Sequence, residues 1–142
     1  MTNPMTKTHD RVTLYRDFAC PPNRLWRALS SGALLAEWLM PNDFQPIKGH
    51  RFQFRVPPMP HWDGVVSAEV VQITPETHLA IAWDTGDLQT LLTFTLIPLA
   101  TGVRLQFEQS GFRGDQLQNR NGAAYGWPRN LDRLESLLAT EI

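Results

Sequence analysis

Alternating hydrophobic and polar positions predict a series of β-strands in this chain. Between residues 11 and 18, Val12, Leu14 and Phe18 share one phase, which is the period of a strand with one buried face. The same period recurs in five further segments, residues 51–56, 64–73, 78–84, 92–96 and 103–107. Turn-forming residues separate most of these segments, and such short connections favour antiparallel hairpins. The pattern therefore predicts a six-stranded antiparallel meander.

Two short helices are predicted between the first and second strands. Leu25, Trp26 and Leu29 recur at helical spacing after a Pro-Pro pair, and proline is tolerated in the first turn of a helix. A second helix is predicted over residues 33–39, and Pro41 ends it.

A longer helix is predicted at the C-terminal end. Its stripe consists of Trp127, Leu131, Leu134 and Leu138, at spacings of four, three and four residues, so one apolar face continues over about three turns. We expect the helix to begin near Asn119 or Asn121, since asparagine is a favourable N-cap. Pro128 should bend the helix or end an irregular first turn.

Length and charge narrow the classes of function. A chain of 142 residues fits one domain, which we assign to residues 11–142, with residues 1–10 as a disordered tail. The net charge of −1 comes from scattered residues, so the chain lacks the basic cluster that binds nucleic acid. No apolar stretch approaches the length of a membrane span. We therefore expect neither a nucleic-acid nor a membrane partner.

Motifs for catalysis or metal binding are not found. The four histidines show no metal-ligand spacing, and the sequence has neither a GxSxG elbow nor a glycine-rich phosphate loop. The single cysteine, Cys20, cannot form an internal disulfide, which fits a reducing, cytoplasmic compartment. We interpret it as a small, semi-buried residue at a strand end. The sequence thus predicts no metal, no cofactor and no catalytic residue.

Two charged residues have an unresolved orientation. Arg16 shares the phase of Leu14 and Phe18, and a buried charge must be paired or must contact the polar head of a ligand. Alternatively, local twist or the strand end releases Arg16 to water. Glu69 is ambiguous because both faces of its strand contain valines.

The order of elements, with several local motifs, resembles the START-like, or helix-grip, superfamily. The motifs are the run from Pro21 through Leu25, Trp26, Ala28 and Leu29; the segment Glu37-Trp38-Leu39-Met40-Pro41; Gly49; Leu79 with Trp83; and Gly126-Trp127 with Leu131 and Leu134. The nearest branch resembles the C-terminal domain of the activator of the ninety-kilodalton heat-shock protein's ATPase. The resemblance implies an α+β helix-grip fold, in which a curved six-stranded antiparallel sheet, two short helices and one long C-terminal helix enclose an apolar pocket.

Small residues in the last helix favour a cavity beside the sheet. Gly122, Ala123, Ala124 and Gly126 add little side-chain volume to this part of the helix, whereas protein interiors are normally filled to high density. The predicted lining is Trp38, Met40, Phe52, Phe54, Trp83, Phe107, Tyr125 and Trp127. Among these, Tyr125 is expected to supply the hydrogen-bonding group.

We expect non-enzymatic binding of a small hydrophobic molecule in this pocket, since apolar pockets with a few polar groups are the usual ligand sites. Two alternatives follow from the resemblance. The first is a chaperone-interaction module, although the eukaryotic activators of this branch carry an additional N-terminal domain for which we expect no room here. The second is an enzyme like the START-like polyketide cyclases and dehydratases, which would need a titratable group in the pocket.

Overall fold

The computed structural model describes residues 10–140 of the protein. The predicted tail lies outside the described residues apart from Asp10, whose carbonyl oxygen accepts hydrogen bonds from Gly111 and Phe112. The elements are β1 (Arg11–Phe18), α1 (Pro22–Leu29), α2 (Gly32–Trp38), β2 (Arg51–Arg55), β3 (Val65–Thr74), β4 (His78–Thr85), β5 (Leu88–Leu99), β6 (Gly102–Ser110) and α3 (Leu117–Leu138). This order is the predicted one.

The strands form one antiparallel sheet in the order β1-β6-β5-β4-β3-β2. A meander builds β2 to β6, and β1 then pairs with β6 in register from Arg11 opposite Ser110 to Phe18 opposite Val103. Strand β5 is longer than predicted and contains Pro98. Its ladder with β4 ends at Thr95, so the missing N–H of Pro98 leaves no bond to β4 unmade.

Local chemistry sets the ends of the helices. Proline opens α1, and the Ser31 hydroxyl caps α2 by accepting from the Leu34 N–H at 3.3 Å. Helix α3 begins at Leu117, earlier than the asparagine caps predicted, because a short 3-10 turn over Gly114–Gln116 leads into it. The helix continues through Pro128.

Helix α3 lies across the inner face of the sheet with the predicted stripe buried, at Trp127, Leu131, Leu134 and Leu138. One flank of the helix faces β1, where the Arg16 guanidinium lies 2.6 Å from the Asp132 carboxylate and 3.3 Å from that of Glu135. This answers the question left open for Arg16: it is paired within the protein. The opposite flank faces the C-terminal end of α2.

Candidate ligand-binding site

Six of the eight residues predicted to line a pocket belong to one buried core cluster. They are Trp38, Phe52, Phe54, Trp83, Phe107 and Trp127. The ring of Trp127 is central, since its centroid lies 4.2 Å from that of Phe107 and 5.8 Å from that of Trp83. Phe54 continues the cluster at 5.0 Å from Trp83. Aromatic contacts thus join α3 to β6, β4 and β2.

Strand register explains why rings from distant strands meet. Phe52 on β2 and Trp83 on β4 both pair with Ala68 on the strand between them. Because alanine is small, the large rings on either side can extend over it. The loop after α2 is hydrogen-bonded to the edge strand β2, since the Arg55 N–H donates to the Pro41 carbonyl oxygen at 2.9 Å. This places Met40, which is partly buried against the cluster, at the margin of the aromatic surface.

A buried chain of hydrogen bonds, which was not predicted from the sequence, runs through the cluster. The indole N–H of Trp127 donates to the side-chain oxygen of Gln109 at 3.0 Å. The Gln109 amide donates to the Thr90 hydroxyl at 3.0 Å, and that hydroxyl donates to the Trp83 carbonyl at 2.7 Å. Gln109 and Thr90 are both buried. The chain therefore fixes the orientation of the Trp127 ring.

A signal for this chain was present in the alternation itself. Gln109 continues the phase of Leu105 and Phe107, and Thr90 continues the phase of Leu92 and its strand. Extending each strand by two residues would have placed both polar side chains on the inner face.

Tyr125 lies on the exposed face of α3 and not in the predicted lining of a pocket. Its side chain is 67% exposed, its hydroxyl accepts from Arg129, and the Arg129 guanidinium lies 4.3 Å from its ring centroid. Two residues along a helix correspond to a rotation of about 200°, so the burial of Trp127 turns Tyr125 to the opposite face. The expectation that Tyr125 provides a polar group in an enclosed pocket is therefore wrong.

The small residues of α3 have three different environments. Gly122 is exposed, whereas Ala123 and Ala124 pack against a small cluster containing Val12, Leu88 and Phe112. Gly126 is half-buried, yet a Cβ built on it would meet no atom within 4 Å apart from its own helix backbone and chain neighbours. A side chain added at Gly126 would therefore meet open space, whereas Ala124 already contacts that small cluster.

Ionisable groups are scarce inside this region. The buried polar or charged side chains among residues 10–140 are Thr90, Gln109 and Gln116, none of which titrates. Glu69 is directed outwards, 3.3 Å from Arg51. Burial raises the pKa of the Cys20 thiol, which disfavours the nucleophilic thiolate. Within the same range, no three His, Cys, Asp or Glu side chains are placed to hold a metal ion.

One surface cleft is charged and lies outside the aromatic interior. It has a volume of about 680 Å³ and is lined by Tyr15, Arg16, Asp17, Arg104 and Glu135. Both arginines are paired with carboxylates, and the Arg104 Nε lies 2.7 Å from the Asp17 carboxylate. Hydrogen bonding to Arg104 lowers the pKa of Asp17. The charges that line this cleft are therefore already paired within the protein.

Comparison with known proteins identifies the family and the fold. The family described as Activator of Hsp90 ATPase homolog 1-like protein matches residues 19–139. The crystal structure of protein MLL2253 from Mesorhizobium loti is 42% identical, with a TM-score of 0.86 over 93% of this chain and 99% of that chain. No curated protein matches the sequence.

Two more distant structures share the fold. The solution structure of the Aha1 dimer from Colwellia psychrerythraea is 16% identical, with a TM-score of 0.78 over 90% of this chain and 95% of that chain. CalU16 from Micromonospora echinospora is also 16% identical, with a TM-score of 0.75 over 90% of this chain and 75% of that chain. The helix-grip fold predicted from the sequence is thereby confirmed. Among residues 10–140, no helix combines the length and apolar character needed to cross a bilayer.

Proposed function

We propose a binding function for this chain, which belongs to the family of Activator of Hsp90 ATPase homolog 1-like proteins. The protein binds a small hydrophobic molecule between α3 and the inner face of its sheet. The observation that carries this proposal is the aromatic cluster that joins α3 to the sheet, near which position 126 of the helix has room for a larger side chain. A site lined by aromatic side chains favours an apolar occupant.

The aromatic cluster is suited to bind a flat, apolar body. Trp127 is held by Gln109, so its ring need not be ordered when a ligand arrives, which reduces the entropic cost of binding. Met40 borders the cluster, and methionine adapts its shape to different neighbours. The same residues support binding rather than acid–base catalysis, since the buried polar side chains described do not titrate.

Filling the space at Gly126 tests this proposal. We expect Gly126→Leu to weaken binding of the neutral fluorescent probe N-phenyl-1-naphthylamine by at least about tenfold, which corresponds to about 1.4 kcal/mol. Gly122→Leu is the matched control, because Gly122 lies on the same helix, is exposed and also has open space around it. Thermal melts of both variants would establish that they are folded. Equal affinities in the two variants and the wild type would refute the proposed site.

A chaperone-interaction module is the second candidate, favoured by the family description and by the Aha1 structure that shares the fold. Its test is the rate of ATP hydrolysis by the ninety-kilodalton heat-shock protein with increasing amounts of this protein. On the binding proposal, the rate should not change. A saturable stimulation would make the chaperone candidate the better account.

A further inference from the structure

The two edges of the sheet differ in how their backbone groups are covered. At the β2 edge, the loop after α2 supplies a partner to Gln53, whose N–H donates to the Asp43 carboxylate at 2.8 Å. The Arg55 N–H likewise donates to the Pro41 carbonyl oxygen. Among residues 10–140, the other edge strand, β1, pairs only with β6. It contains no proline and no register shift, although exposed edges are commonly broken by proline or bulges. Strand β1 is therefore a regular edge that is open to a further strand.

Alternate residues of β1 direct their backbone groups towards this open edge. The Asp10 carbonyl oxygen accepts from the Gly111 N–H on the β6 side. Because the bonded residues alternate along an antiparallel strand, the even-numbered residues of β1 are bonded to β6 and the odd-numbered residues point away from it. The Arg11 carbonyl oxygen fits this phase, since it accepts from the Arg120 side chain of α3 at 3.1 Å. The uncovered groups of the strand therefore begin after Arg11.

Three residues, Thr13, Tyr15 and Asp17, form the free edge of β1. Within residues 10–140, their outward N–H and C=O groups have no hydrogen-bond partner. All three residues are exposed, and Tyr15 is 61% exposed, although tyrosine is enriched at protein interfaces. The charged cleft beside Tyr15 and Asp17 leaves room along this edge. An unpaired row of donors and acceptors with room beside it is a template for another strand.

We infer that the free edge of β1 pairs with the same edge of a second copy of this chain, antiparallel about a two-fold axis at Tyr15. In this register Tyr15 faces the partner's Tyr15 and Thr13 faces the partner's Asp17. All three residues of each free edge are then hydrogen-bonded, and no like charges are opposed. A shift of two residues would pair Asp17 with Arg11, whose carbonyl oxygen already has a partner, or Thr13 with Ala19, which lies beyond the strand.

The charge of Arg16 does not oppose this pairing. An inward-pointing charged residue is one of the devices that protect a sheet edge from a second strand. Arg16, however, is already paired with Asp132 and Glu135 of its own chain. Three residue pairs make a small contact compared with the roughly 1,200 Å² of a stable interface, so we expect a dimer that dissociates on dilution. This pairing is independent of the proposed ligand, because it uses the sheet edge and not the aromatic interior.

Sedimentation velocity from about 10 μM to about 1 mM protein tests the pairing. We expect the wild type to change from monomer to dimer across this range. Tyr15→Pro should remain monomeric, because proline removes a free-edge N–H and is tolerated where that N–H faces away from the sheet. If thermal melts show that this variant does not fold, Tyr15→Lys replaces it: like charges then face each other, and the dimer should weaken at least about tenfold. Gln106→Lys is the matched control and should dimerise as the wild type does, because Gln106 pairs with Tyr15 on β6, one strand from the edge.

Cysteine cross-linking tests the register, in a background that carries Cys20→Ala. Tyr15→Cys should form a disulfide between two copies, because a hydrogen-bonded pair places its Cα atoms about 5.5 Å apart. Thr13→Cys should not, since the two copies of position 13 would be about 14 Å apart along the strands. A monomer at every concentration, a dimer that Tyr15→Pro leaves intact, or equal cross-linking at positions 13 and 15 would each overturn the inference.

Discussion

Replacing Gln109 by leucine tests the buried hydrogen-bond chain that orients Trp127. The substitution introduces an apolar side chain of similar size and removes the acceptor of the Trp127 indole N–H and the donor to Thr90. Thr90 keeps its own bond to the Trp83 carbonyl. The main consequence is therefore one buried donor, on Trp127, without a partner.

The expected cost follows from that orphaned donor. A buried polar group that loses its hydrogen-bond partner costs about 1–3 kcal/mol. We expect Gln109→Leu to lower the free energy of unfolding by about 1–3 kcal/mol, measured by denaturant titration with far-UV circular dichroism.

A control and a double variant isolate the interaction. Gln106→Leu makes the same change on the same strand, at a half-buried position, and should change stability by no more than about 0.5 kcal/mol. Combining Gln109→Leu with Trp127→Phe removes both partners, so the double variant should lose less than the sum of the single losses. Additive losses, or a loss below about 0.5 kcal/mol in Gln109→Leu, would refute the role assigned to the chain.

Three further predictions follow from single positions. Leu131→Ala should destabilise the protein by about 2–5 kcal/mol in denaturant melts, because Leu131 is buried in the helical stripe; a loss below about 0.5 kcal/mol would contradict its place in the core. Gly126→Ala should raise stability by about 0.5–1 kcal/mol, since the added Cβ meets no atom within 4 Å, and a decrease would show that the space is filled. Cys20 should react with a thiol reagent much more slowly in the native protein than in urea at neutral pH, because burial both shields it and raises its pKa; equal rates would show that it is accessible.

Period-two alternation was sufficient to predict the sheet, because each strand has one face in the core. It gave β1 its correct bounds, from residue 11 to residue 18. It predicted β5 too short at both ends, because the run of alternating apolar residues extends only from Leu92 to Leu96, whereas the strand is Leu88–Leu99. Inward polar residues such as Thr90 break a purely apolar pattern, although they keep its phase.

The candidate site was predictable only in part. The aromatic residues of the cluster follow from their phase and their size, whereas the hydrogen bond between Gln109 and Trp127 depends on how β6 and α3 pack. Tyr125 is aromatic like the residues of the cluster, but the helical rotation between positions 125 and 127 places it on the face opposite Trp127.

A crystal structure of the protein with N-phenyl-1-naphthylamine tests the central claim most directly. The probe should lie beside Gly126, in contact with Met40 and the aromatic cluster of α3 and the sheet. Density for the probe on the outer face of the sheet or against the exposed Tyr125, with the space at Gly126 left empty, would contradict the account.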